Sequence, residues 1–258
     1  MACDSGWVCL RVRLLTVHRA GVAVDTFTLR LKDCKSEMTP EEITIAGIGF
    51  LAAGFVKGAT GVGYATTALP IVALAIGLDR AMPLVLIPSL ASNVMVMRAA
   101  GEFRQTWARF WPLFAALLPG LVLGLAALAT VNTSTAARIL GLVLLAYALY
   151  ALLRPHLVIP PHLERPLNIP VGVVNGFING LTGSQIMPCV PYALSLRLSP
   201  DGVVQLTNIC FTLSSLVMMA GLHHIGLLDA ATLAGSAAGI VPAFIGVTAG
   251  SYLRTRLP

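Results

Sequence analysis

The stretch GFVKGATG, Gly54 to Gly61, and its near copy GFINGLTG, Gly176 to Gly183, decide how the rest of the chain is read. Gly54, Phe55, Gly58, Thr60 and Gly61 recur as Gly176, Phe177, Gly180, Thr182 and Gly183, at a constant offset of 122 in 258 residues. Self-similarity at close to half the length means that two halves share one plan. Each copy interrupts an apolar stretch of about thirty residues, and glycine-broken hydrophobic segments at matching places in two halves mark the binding site of a transporter.

Composition agrees with a chain built for lipid. Hydrophobic residues make up 57% and charged residues 11%, well below the charged share of a soluble domain, and the mean hydropathy is +0.84. Apolar windows long enough to cross hydrocarbon alternate with short polar loops. These features predict an all-α polytopic membrane protein. The formal charge of +6 does not call for nucleic acid, because basic residues flanking membrane helices give the same sum as orientation signals. Cys3, Cys9, Cys34, Cys189 and Cys210 form no CxxC pair and no metal-ligand spacing with the histidines, so no metal site is expected. Cys189 and Cys210 lie in apolar segments and read as small hydrophobes.

Residues 1–37 differ from the rest of the chain, carrying six of the seventeen Lys and Arg and no apolar run able to span. Arg11, Arg13 and Arg19 also break any signal-peptide core. We read them as an extension of doubtful reality, from a misplaced start or an upstream fusion, that stays disordered or peripheral. Met38 is the more natural beginning. The first membrane repeat then covers 38–153. It has a broken apolar stretch from Ile43 to Gly77, then plain spans at about 81–100, 110–130 and 135–153, with a basic loop from Gly101 to Arg109. A proline-rich linker, 154–166, joins the halves. The second repeat, 167–258, restarts the plan with a broken stretch from Leu167 to Leu196 and spans at about 202–222 and 227–252. A counterpart to the last span of the first half is expected beyond Arg256, so the second repeat reads as truncated.

Basic residues indicate how the broken stretches cross. If each crosses once, the two faces receive five arginines apiece. If each is a hairpin returning to its own side, Arg98, Arg104, Arg109, Arg154, Arg165, Arg197, Arg254 and Arg256 share one face and only Arg80 and Arg138 the other. The second distribution satisfies the positive-inside rule. It leaves an odd number of full crossings in the first half, which makes the two repeats inverted.

Two readings of the repeated phrase compete. Glycines four apart let membrane helices touch closely without any ligand. Glycines beside a threonine, a third glycine and a following proline also let the chain unwind and offer backbone N–H groups to a ligand, which is tolerable only around a polar cavity inside the protein. Lys57 favours the second, since a charge at bilayer depth is costly unless paired or solvated, although a lysine can also snorkel to the interface. The expected binding residues for a small anion are Gly54, Lys57, Gly58, Thr60 and Gly61 with Gly176, Asn179, Gly180, Thr182, Gly183 and Gln185. Ser89, Ser92, Asn93, Thr207, Asn208, Ser214 and Ser215 line the following spans, where interhelical hydrogen bonding explains them as well as a site does. No carboxylate falls inside a span, so a carboxylate-based proton relay is not expected, and no nucleophile and base come together, so an enzyme is not expected.

With the repeated GFxxGxTG, the prolines that follow it (Pro70; Pro188 and Pro191) and the polar second spans in hand, the chain resembles the sulfite exporter TauE/SafE family from about Ile43 to Arg256. It is most similar to the branch with a basic residue before the second glycine, here Lys57, and departs from many members in having Val62-Gly63-Tyr64 and Ser184-Gln185-Ile186 after the TG pairs. The resemblance implies a permease of the bacterial inner membrane, without a bound cofactor, for a small sulfur-containing oxyanion or organosulfonate such as sulfite or sulfoacetate. A passive anion channel or a non-transporting membrane subunit is the alternative. The partners implied are the anion and the lipid bilayer, not nucleic acid; whether copies of the chain associate is left open.

Overall fold

The computed structural model describes residues 16–19, 22–25, 38–153, 157–224, 227–228 and 230–256. Residues 1–39 and 40–258 form two separate units. In the first, β1 (Thr16–Arg19) pairs antiparallel with β2 (Val22–Asp25), so the stretch expected to lack order holds a short hairpin; the rest of 1–37 lies outside the described residues.

Every described element of the second unit is helical: α1 (Pro40–Thr60), α2 (Tyr64–Ile76), α3 (Leu78–Ala100), α4 (Phe103–Thr130), α5 (Thr133–Leu153), α6 (Pro161–Thr182), α7 (Cys189–Ser195), α8 (Pro200–His224), α9 (Ala230–Ala238) and α10 (Ile240–Arg256). Among the described residues six stretches are long and apolar enough to cross a membrane: α1, α3, α4, α5, α8 and Thr232–Arg254, which runs from α9 into α10. The chain is a polytopic helical membrane protein. A helix of 21 residues such as α1 is roughly 31 Å long, which matches the hydrocarbon thickness.

Three boundaries differ from those the sequence predicts. The basic segment 101–109 is not a loop, because α4 starts at Phe103 and bends at Phe110, whose φ of −113° leaves helical values two residues before Pro112. Its first turns are held by Phe103 stacking on Trp107 and by Trp107 on Phe114. The proline linker is also shorter, since α6 begins at Pro161, where a missing N–H costs nothing at the first helical position. The expected span at 227–252 breaks at Gly239. A regular helix cannot continue there because the ring of Pro242 collides with the carbonyl four residues back, and the ring of Phe50 together with Pro88 crowds Gly239.

Packing exchanges the two halves. α1 lies along α10 and α6 along α4, while α3 packs on α8. The first two pairs are parallel: Gly54 and Gly58 meet the backbone near Ala243 and Val247, and Gly176 and Gly180 meet it near Leu117 and Leu121. α3 and α8 run antiparallel, since Asn93 lies opposite Asn208 and Met82 opposite Met218. Pro88 leaves the carbonyl of Leu84 without its usual helical donor, and the Ser236 hydroxyl from α9 donates to it at 2.8 Å.

Candidate functional site

Both phrases end their helices in the same way. The Thr60 hydroxyl donates to the Val56 carbonyl at 2.8 Å, Gly61 N–H donates to the Lys57 carbonyl at 2.7 Å, and Gly61 turns left-handed with φ 81°. In the second copy the Thr182 hydroxyl donates to Ile178 at 2.7 Å, Gly183 N–H donates to Asn179 at 2.7 Å, and Gly183 has φ 74°. The left-handed turn is what only glycine adopts without strain, so the third glycine of each phrase is where the helix stops. The first two glycines serve a different purpose. A Cβ at Gly54, Gly58, Gly176 or Gly180 would overlap the backbone of α10 or α4, so these four are the close contacts between helices.

The last turn of α1 carries Lys57, which is fully buried. Its ammonium donates to Asn93 Oδ1 on α3 and, at 2.6 Å, to Asn208 Oδ1 on α8, and lies 5.7 Å from the ring centroid of Phe211. Asn208 is fixed in turn, its Nδ2 donating to the carbonyls of Gly61 at 2.8 Å and Val204 at 2.7 Å. Asn93 Nδ2 is buried with no partner. Among the described residues no carboxylate reaches the ammonium, so the positive charge is met only by amide dipoles, the C-terminal end of α1 and an aromatic face. Lys57 does not snorkel.

The second phrase builds the equivalent place with other residues. Asn179 stands 122 positions after Lys57, Ser215 the same distance after Asn93, while Leu86 and Ser89 precede Asn208 and Phe211 by that distance. Asn179, Leu86, Ser89 and Ser215 line a cavity of about 20 Å³, together with Gly183 and Gln185. Gln185 Nε2 donates to Ser215 Oγ at 3.2 Å, but both amide atoms of fully buried Asn179 lack partners. The contacts that cover the breaks correspond as well: Val204 lies against Gly61, and Met82 against Gly183, again 122 apart.

The structure therefore gathers Lys57 with Gly61 in one cluster and Asn179 with Gly183 and Gln185 in another. Thr60 and Thr182 act as caps, and Ser92 and Thr207 donate to carbonyls of their own helices. His223 and His224 are exposed in the last turn of α8. Two contributors have no signal in the sequence. Phe211 is one apolar residue among many, and Asn175 reaches from α6 to the start of α7, its Oδ1 accepting from Cys189 N–H at 3.3 Å. The offset of 122, applied to Asn208, does point to Leu86.

An all-helical polytopic chain with two terminated helices, and a buried lysine held between amide oxygens from separate spans, has the construction of a membrane transporter. The profile described as Sulfite exporter TauE/SafE matches residues 45–258, and the chain belongs to that family. The family is one of membrane transporters, not enzymes. Comparison with curated proteins and with solved structures gives no match.

Proposed function

We propose that the chain carries a small sulfur-containing oxyanion or organosulfonate, of the size of sulfite or sulfoacetate, by alternating access around the two phrases. The observation that carries this reading is the Lys57 ammonium, fully buried and, among the described residues, bonded only to neutral oxygens. A charge held in this way keeps an unmet demand for an anion, and a lysine retained at such cost inside the bilayer marks a substrate path. The unpartnered Nδ2 of Asn93 adds a second donor beside it. Gly54, Gly58, Gly176 and Gly180 hold the helices that frame the path, Gly61 and Gly183 end them, and Thr60 and Thr182 fix the turns. Asn179 and Gln185 supply the neutral polar groups on the other side.

Inverted repeats support the same mechanism. α3 and α8 are counterparts at the 122 offset yet run antiparallel, and each break is covered by the corresponding residue of the other half. Two such halves can rock against each other and open the path to either face in turn. The bacterial inner membrane is the compartment this reading implies.

The test is uptake of labelled sulfite, sulfate, sulfoacetate and a carboxylate control into proteoliposomes holding this chain or its Lys57→Ala variant, with empty vesicles as blank. Saturable flux of one sulfur oxyanion, lost in the variant, is expected. Flux that does not saturate or does not distinguish these anions would make the protein a channel; flux unchanged in the variant would remove Lys57 from the site.

A further inference from the structure

α4 is longer than a membrane crossing needs. Its 28 residues bend at Phe110, and the 112–130 part alone rises about 28 Å, close to the roughly 30 Å of a hydrocarbon core. The first two turns, 103–110, are left for the headgroup layer. Arg104 and the Arg109–Glu164 pair fix the same level, since their charges are costly in hydrocarbon. Most of the charge at this end is already used within the protein. Arg109 is tied to Glu164 by two bonds of 2.6 Å, and Glu102 Oε1 accepts from Ser199 Oγ at 3.0 Å. Arg98, in the last turn of α3, and Arg104 are exposed, and among the described residues neither has a carboxylate within ion-pair distance. Gly101, left-handed at φ 75°, turns the chain between them.

Beside these two charges lies exposed aromatic surface: Phe103 is 49%, Trp107 41% and Trp111 59% exposed. Arg104 and Trp107 are three residues apart and share one face of the helix. Phe103 stacks on Trp107 with centroids 5.8 Å apart, and Trp107 on Phe114 at 5.1 Å, so α4 itself holds the rings in place. An indole, with its apolar body and polar N–H, sits where acyl chains meet headgroups, and a guanidinium matches a phosphate with two parallel N–H bonds. We propose that Arg98 and Arg104, with the Phe103, Trp107 and Trp111 rings, bind the phosphate of one anionic phospholipid whose acyl chains run along those rings. Two unpaired cations select the anionic lipid, because a zwitterionic headgroup brings an ammonium of its own. The binding does not depend on what the chain transports.

The experiment titrates the purified full chain in detergent with phosphatidylglycerol, phosphatidylcholine and soluble glycerol phosphate, reading bound lipid by native mass spectrometry and stability by Tm. Saturable retention of phosphatidylglycerol above phosphatidylcholine is expected, with a rise in Tm that glycerol phosphate does not reproduce, since a ligand of the folded state alone stabilises it. Arg104→Gln is expected to weaken phosphatidylglycerol binding about fivefold, the share of one basic side chain at an anionic surface, and the double variant Arg98→Gln/Arg104→Gln further. Both residues are exposed, so the variants should elute as wild type. Arg138→Gln, exposed on α5 beyond the far end of α4, should leave binding unchanged. Equal retention of the two lipids, an equal effect of glycerol phosphate, or a double variant that binds as tightly as Arg138→Gln would each overturn the proposal.

Discussion

The first phrase closes over a lysine and the second over a cavity, although both helices end in the same left-handed glycine and the same threonine cap. The difference comes from four substitutions at corresponding positions. Lysine becomes asparagine, two asparagines become serine and leucine, and phenylalanine becomes serine. Both phrases end in the same backbone turn, while the side chains around them differ in charge. On the proposed reading, such division of labour gives an anion one strongly attractive side and one neutral side, so that it is held without being trapped.

The largest effect expected from breaking this comparison lies in what the halves share. Gly58→Leu and Gly180→Leu both drive a side chain into the backbone of a neighbouring helix, and overpacking of that kind costs about 1–3 kcal/mol or more. Size-exclusion profiles of both should show most of the folded species lost. Survival of one but not the other would show that the two helix pairs are not equivalent.

Next come the residues that differ. Lys57→Ala should leave the elution profile close to wild type and weaken anion binding by about 2–5 kcal/mol, the range for removing one partner of a buried charged contact. Anion-dependent thermal stabilisation measures this. Loss of folded protein equal to that of Gly58→Leu would make Lys57 structural instead.

A smaller effect is expected from exchanging the counterparts of one pair. Asn208→Leu removes an acceptor of Lys57 and the donor to the Gly61 carbonyl, and leaving such buried groups unpaired costs about 1–3 kcal/mol. Leu86→Asn places an amide beside the cavity and should lower Tm less, because Asn179 offers it an unpaired partner. The reverse order would argue against corresponding roles.

The smallest effect is expected at the rim. Arg109 grips Glu164 with two bonds of 2.6 Å between α4 and α6, but the arginine side chain is 44% exposed. Arg109→Gln should cost about 0.2–1 kcal/mol, and less as salt is raised. A loss as large as that of Asn208→Leu would mean that this pair holds the halves together.

Much of this was legible in the sequence because membrane insertion imposes rules that act residue by residue. Apolar length set the spans, glycine followed by an incompatible φ set the helix ends, and an intramembrane lysine announced itself by its cost. Helix starts were less legible: α4 begins within a basic segment because aromatic stacking and the Arg109–Glu164 pair hold its first turns, contacts that depend on residues far along the chain.

The chain by itself determined that the protein is helical and membrane-spanning, that its halves correspond, and that Lys57 and Asn179 occupy matching positions. Those properties follow from local hydropathy and from an offset that can be counted. Only the tertiary structure decided that the first glycines of each phrase face other helices, that Asn93 and Asn208 converge on Lys57, and that the place beside Asn179 is a cavity. These depend on which side chains from distant spans fill or leave a shared volume, and no single helix carries that information.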